Sequence, residues 1–416
     1  MFMSNQINCF LMVSLSFFIY AAPIFALDTI EVGGKGDTCV EDPECINRIH
    51  SDIPMVARAQ QGQTILFHTR DAVDYLGVVA KQTDVRPEAG KDWDFDRVHP
   101  MTGPIYIEGG KAGDVLAFTI KKIKPGRYAY TGTGGFASDL MGPGSLKVSW
   151  DLNKDYAVSK DIPGIKIPNR SFPGVVTTMP DREKLKEMLA REQALLEAGA
   201  SVYVPSTKKA SPAAICGPNG SKKEECLRTI PPREHGGNMD IRYLQAGATI
   251  YLPCYIDGCA LAIGDLHFAQ GDGEVSGTAI EMSADVWGVA KIIKNGPDLS
   301  HGPHYSGPSS LLDIPSTKFY AATGFPLKKA GAVPPEMEYL QSAKVADLAN
   351  LSNDINLAAR NALDGIVDYI VATYGYNRLQ AYIIASVAVD LRIGQLVDTP
   401  NVGVTAVLPL DIFDHK

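Results

Sequence analysis

Three stretches of this chain repeat one local pattern, a polar residue or alanine, then glycine, then an apolar run rich in β-formers. They lie at 61–67, 112–118 and 246–252. In each, a glycine-permitted turn leads into a strand. Their irregular spacing excludes a solenoid, and with 39 glycines and 27 prolines in the chain the expectation is a mainly β fold, a sandwich or barrel. Further strands are expected at 103–107, 146–150 and 255–263.

Helical periodicity appears in two places. Leu185, Met188, Leu189, Leu195 and Leu196 share one helical face, with Asp181 placed to cap the start and Gly199 to end it. Residues 205–223 follow, polar and rich in Ser, Pro and Lys, and read as a surface excursion. Near the C-terminus, Ser352 is placed to cap a helix carrying Ile355, Ala359, Leu363, Ile366, Val367 and Ile370 and closing at Gly375. Asn377 begins a second helix reaching Ala388, and after Thr399 and Pro400 a strand at 402–408 returns to a sheet. Helices gathered behind a β-rich region indicate an α+β portion and not alternating β-α-β units.

Residues 1–26 carry no charged side chain and contain the apolar run 9–22, the pattern of a cleavable secretory signal. Export to the periplasm or the exterior is therefore expected. Cys9 falls within that leader, leaving Cys39, Cys45, Cys216, Cys226, Cys254 and Cys259. An even set of closely spaced cysteines in an exported chain favours disulfides. The first two pairs fit best, whereas Cys254 and Cys259 flank the turn at Asp257 and Gly258, and their pairing depends on the length of that loop. The formal charge of −8 comes with no basic run, so a nucleic-acid partner is not expected. No segment after the leader is long and apolar enough to span a membrane.

Familiar nucleophile patterns are missing. There is no Gly-x-Ser-x-Gly elbow. Ser309 and Ser310 lie in a Gly/Pro loop, His301 and His304 in another, and Cys254 in an apolar strand, where structural roles suffice. The polar residues concentrate elsewhere. Asp265 and His267, two apart on a strand, share a face and can grip one ion. Asp272 and Glu274 follow in a glycine-rich turn, and Glu281 sits among apolar neighbours where desolvation raises a carboxyl pKa, as a general base requires. Glu234, His235, Asn238 and Asp240 form a second cluster, and His99 stands at the mouth of another strand. Singly, such residues more often serve as hydrogen-bonded structural groups; their clustering on separate loops points to a site.

The segments His235-Gly-Gly-Asn-Met-Asp240, Gly264-Asp-Leu-His267, Gly271-Asp-Gly-Glu274 and Ile280-Glu-Met282 together resemble the acetamidase/formamidase family. His99-Pro-Met-Thr-Gly-Pro104, residues 108–114, 386–393 and 397–398 extend the likeness from about Thr64 onwards. The resemblance implies a jelly-roll-like β-sandwich joined to an α+β portion, and hydrolysis of a C–N bond in a small linear amide to a carboxylate and ammonia. It also implies bound metal. The leader, the cysteines and the excursion after 181 depart from the short members of that family.

These readings define three regions: a signal peptide at 1–26, a β-sandwich-rich catalytic region at 27–330 with a helical, disulfide-clipped insertion at about 181–230, and a helical portion at 331–416 with a returning strand. The working scheme gives His235, Asp265 and His267 to a divalent metal, zinc first and calcium second. Glu281, Asp272 and Glu274 are the catalytic acids and bases, and Asn238, Asp240 and His99 orient a small amide substrate. A homo-oligomer is expected. Two alternatives stand beside it: the same cluster working without metal, and an exported ligand-binding sandwich without catalysis.

Overall fold

Two long antiparallel strands organise the molecule: Val115–Gly132 and Glu281–Ile293 pair along their whole length, from Glu281 opposite Tyr130 to Ile293 opposite Val115. The computed structural model describes residues 27–88, 93–197, 203–328, 331–332, 346–347, 354–397 and 402–414. The leader, Gly199, Ser352, Thr399 and Pro400 lie outside them.

From that pair the sheet extends both ways. On one side lie Lys147–Leu152, Tyr156–Val158 and Ile167–Pro168; on the other lie Leu261–His267, Phe172–Thr177 and Gly236–Asn238, every neighbouring pair antiparallel. Branches complete it, with Thr64–His68 on Glu281–Ile293, Met101–Ile107 on Leu261–His267, and Thr249–Pro253 on Val115–Gly132. A branching sheet folds over on itself, and Phe67, Phe118, Trp150, Phe172 and Phe268 fill the interior at no more than 0% exposure. Phe67 meets Phe118 edge-to-face at 5.8 Å. The expected mainly β architecture is what the chain adopts.

Strand 255–263 is displaced. Cys254 and Cys259 are bonded, with Cα atoms 4.4 Å apart, and Cys259 and Ala260 take left-handed conformations (φ 61° and 58°). That tight turn delays the strand, which runs Leu261–His267 instead. The other two pairs, Cys39–Cys45 and Cys216–Cys226, are also bonded.

Helix Arg182–Glu197 begins where Asp181 accepts from the Lys184 amide at 2.8 Å. Only its first half is buried, through Leu185 and Met188; Leu195 and Leu196 are exposed. The excursion behind it is not all surface. Ala210, Cys216 and Leu227 join Ile46, Ile49, Met101 and Met188 in a second apolar cluster, because backbone hydrogen bonds between Ile49 and Leu227 and from the Asn47 amide to the Ser211 carbonyl hold this segment against the N-terminal region.

In the C-terminal portion, Phe319–Gly324, Gly403–Pro409 and Asp390–Gln395 form a three-stranded antiparallel sheet. Helix Ile355–Tyr374 lies so close that a Cβ on Gly324 would meet the Ala358 carbonyl at 2.2 Å. Asp354 supplies the cap, accepting from the Leu357 amide at 3.0 Å. Gly375 closes the helix at φ 76°, and Asn377 opens Arg378–Ala388 with a reciprocal capping box to Gln380. Among the described residues no helix is long and apolar enough to cross a membrane.

Candidate active site

Four adjacent strands bring the site together. The register places His267 opposite Glu281 on one side and opposite Phe172 on the other, while Gly236–Asn238 pairs with Val175 to Thr177. Neighbouring strands thereby set the imidazole beside a carboxylate, and His267 Nε2 lies 3.2 Å from Glu281 Oε2 and 3.5 Å from Asp265 Oδ2. Asp265, His267 and Glu281 are buried, and each offers a donor atom within 4.8 Å of the others. A second triplet, Asp240, His267 and Glu274, meets the same criterion.

The supporting contacts fix these groups in orientation. Gln270 Nε2 donates to the Asp240 carbonyl at 3.0 Å, so its Oε1 faces His267 Nδ1 at 2.8 Å and accepts from it. This commits Nδ1 and leaves Nε2 pointing at carboxylates, the arrangement that orients a metal-ligating histidine. The Ala279 amide donates to Glu281 Oε1 at 2.8 Å, leaving Oε2 for the cluster. Asp240, Asp265 and Glu274 all occupy left-handed backbone conformations, with φ of 51°, 53° and 41°. Such conformations cost about 1–3 kcal/mol each and cluster where function imposes them.

The floor of the cluster is Gly174. A Cβ there would lie 2.6 Å from Asp240 Oδ1, 2.7 Å from Asp265 Oδ2 and 2.9 Å from His267 Cε1. The carboxylates and imidazole thus approach this strand more closely than any side chain at residue 174 would permit. His267 Nε2 and Glu281 Oε2 face each other at 3.2 Å, while His99 Nδ1, Asn238 Oδ1, Asp240 Oδ1 and Asp265 Oδ1 are buried without a hydrogen-bond partner. Buried polar groups are rarely left unsatisfied, and a set of this kind on the walls of one cavity fits a cation or polar ligand.

Burial and mutual repulsion separate the acids electrostatically. Desolvation, reinforced by Asp265 and Glu281 against the pull of His267, lifts Asp240 to about 7. Glu274 and Glu281 are also raised, again chiefly by burial. Asp265 goes the other way: burial works to raise it, but His99, His267 and its hydrogen bonds bring it down to about 2. Burial opposes a charge on His267, yet Glu281 and Asp265 outweigh it and raise its pKa well above the usual value. A proton on Nε2 and a metal ion compete for that place.

The cluster forms one end of a cavity of about 170 Å³. His99, Asn238, Asp240, Asp265, Glu274 and Glu281 line it. Phe95, 49% exposed, lines it too, so the cavity reaches solvent. Two residues of the working scheme stand apart. His235 is buried with Nδ1 2.7 Å from the Thr177 hydroxyl, and burial lowers its pKa to about 3. It belongs to neither triplet. Asp272 accepts from the Tyr243 hydroxyl, and its amide donates to Asp390 at 3.3 Å; it does not line the cavity. Strand pairing sets His235 beside Thr177, and the turn after Gly271 sets Asp272 beside Tyr243 and Asp390. Gly174 and Gln270 are the residues that sequence reasoning missed: glycine carries no functional group to notice, and Gln270 shows its role only through the turn that follows His267.

Residues 35–415 match the acetamidase/formamidase family. The chain belongs to that family. It is 33% identical over 396 residues to a Schizosaccharomyces pombe protein provisionally named a formamidase, covering 90% of this chain and 91% of that one. The formamidase of Methylophilus methylotrophus is 28% identical, covering 90% of each chain. The acetamidase of Mycolicibacterium smegmatis is 30% identical over 81% of this chain and 84% of its own. A γ-lactamase from Delftia acidovorans superimposes with a TM-score of 0.79 at 27% identity, over 93% of this chain and 94% of that one. Family membership brings with it the reaction class, hydrolysis of non-peptide C–N bonds in small amides.

Proposed function

We propose that this acetamidase/formamidase family member hydrolyses neutral amides in the cavity lined by Asn238, Asp240, Asp265, Glu274 and Glu281, with a divalent cation held by Asp265, His267 and Glu281. The observation that carries this is the gathering of those three buried side chains, each with a donor atom within 4.8 Å of the others. Glu281 takes the ligand place first given to His235. Zinc is the cation proposed, because an imidazole stands in the donor set and calcium takes oxygen ligands. When bound, such a cation acidifies water and polarises a carbonyl.

The protein's own groups do the rest. Asn238, with an uncommitted carboxamide oxygen at the cavity wall, is placed to accept from the amide NH₂ of the substrate. Asp240 and Glu274, also on that wall, are placed to take a proton from the attacking water and return it to the departing nitrogen. His99 is placed at the same end to orient the carbonyl. We further propose that the chain is exported, a reading supported by its three bonded cysteine pairs, and that it forms a homo-oligomer.

The test combines metal analysis with an ammonia-release assay on the purified chain. Stoichiometric zinc is expected, with loss of acetamide hydrolysis on chelation and recovery on zinc addition. Full activity in a metal-free preparation overturns the metal assignment and leaves the cluster as an acid–base device.

A further inference from the structure

Beside its carboxylates the cavity has an apolar wall of different chemistry. Val73, Trp93, Phe95, Val98, Tyr130 and Ile230 form it. Val73, Val98 and Tyr130 form an apolar cluster of their own, with Trp93 and Ile230 packed against it. The Tyr130 hydroxyl is already committed, donating to Asp71 at 2.6 Å and accepting from the Val73 amide at 3.3 Å. Its ring therefore serves as wall. Trp93 crosses it with centroids 4.8 Å apart, and Gly132 permits that approach, since a Cβ there would meet the indole at 2.6 Å. Among the described lining residues there is no lysine or arginine.

Size adds a second constraint. A dry apolar cavity of roughly 150 Å³ holds benzene, and this one measures about 170 Å³. That volume covers the polar and apolar parts together, so formamide or acetamide would occupy only a fraction of it and leave the apolar wall unpacked, forfeiting the burial and dispersion that the wall offers.

Resting on the amide-hydrolase reading above, we infer that the substrate of this chain is a neutral primary amide bearing a compact apolar group of about the size of a six-membered ring. The ring would pack among Val73, Trp93, Tyr130 and Ile230 while the carboxamide faces Asn238, Asp240 and Glu274. In the reaction, water forms the new C–O bond, the C–N bond breaks, and the water's two protons pass to the departing NH₂ group, giving a carboxylate and ammonium, which is read as ammonia in the assay. Among the described residues no cationic side chain lines the apolar wall to hold an acidic substituent.

The experiment measures ammonia release by the full chain from formamide, acetamide and benzamide. Benzamide is expected to exceed acetamide in kcat/KM by about 10-fold or more, as apolar pocket contacts of this size allow. In Ile230→Phe, which fills the space at the apolar wall, the benzamide-to-acetamide ratio is expected to fall by about 10-fold. The ratio is taken on one preparation, so partial misfolding does not alter it. Ammonia from all three with acetamide or formamide preferred overturns the substrate class and leaves the hydrolase reading standing, as does an unchanged ratio in Ile230→Phe. No ammonia from any of them overturns the hydrolase reading and this inference together.

Discussion

Gly174 sits at the narrowest point of the site, and its missing side chain is what allows Asp240, Asp265 and His267 to approach one another. Its φ lies outside the left-handed region, so alanine is compatible with the strand backbone and the effect of Gly174→Ala is local. Thermal stability is expected to fall by the roughly 1–3 kcal/mol that overpacking a buried site costs, while amide hydrolysis falls about 100-fold, the scale of a misplacement of roughly 1 Å at a reacting centre. Unchanged kcat/KM contradicts the placement. Asp265 and His267 were legible from their spacing, since period 2 sets them on one strand face. Glu281 was legible from its apolar surroundings. Its place beside His267 was not, because that depends on which strands pair and in which register. His235 shows the converse: its local neighbourhood looks chemical, yet the fold sets it outside both triplets, with Nδ1 held by Thr177 on the paired strand and Nε2 buried without a hydrogen bond.

Strands and helices carry their own electrostatics. His68 on Thr64–His68 lies 2.8 Å from Asp285 on Glu281–Ile293, and its second nitrogen is 3.6 Å from Glu31 on the short strand Ile30–Val32. The hydrogen bond to Asp285 raises its pKa above the usual value, against burial, with the charges of Asp285 and Glu31 adding to it. A raised histidine contributes its full stabilisation below its unfolded pKa of about 6.5 and loses it as pH rises through the folded value. The difference in Tm between the wild type and His68→Gln is therefore expected to be largest near pH 5.5 and to shrink towards pH 8.5; a gap that widens with pH contradicts the pairing. Element boundaries were readable where their causes are local. Gly375 and Asn377 announce their caps in sequence, and the structure places both helix ends there. The strand expected at 255–263 failed because a disulfide and two left-handed residues turn the chain first. The second half of helix Arg182–Glu197 repeats an apolar face that nothing among the described residues covers.

At the scale of the whole molecule, the β-rich body supplies the cluster and the C-terminal portion braces it from behind. A Cβ on Gly271 would meet the Val389 carbonyl at 2.1 Å, and the Ser276 amide donates to Ser386 at 3.0 Å. The turn carrying Glu274 is thus held by the last helix. On the outer side of this portion Phe319, Phe325, Ile393 and Leu396 are exposed, and apolar surface of this kind supports the proposed homo-oligomer. Light scattering is expected to return a multiple of the chain mass; a monomer at micromolar concentration contradicts it. The central claim is that hydrolysis happens at His267 and its carboxylates, and the direct measurement is ammonia release from His267→Asn compared with Asp272→Asn. The account predicts a loss of at least about 100-fold for the first and a change within a few-fold for the second. Comparable activity in both, or a greater loss in Asp272→Asn, contradicts it.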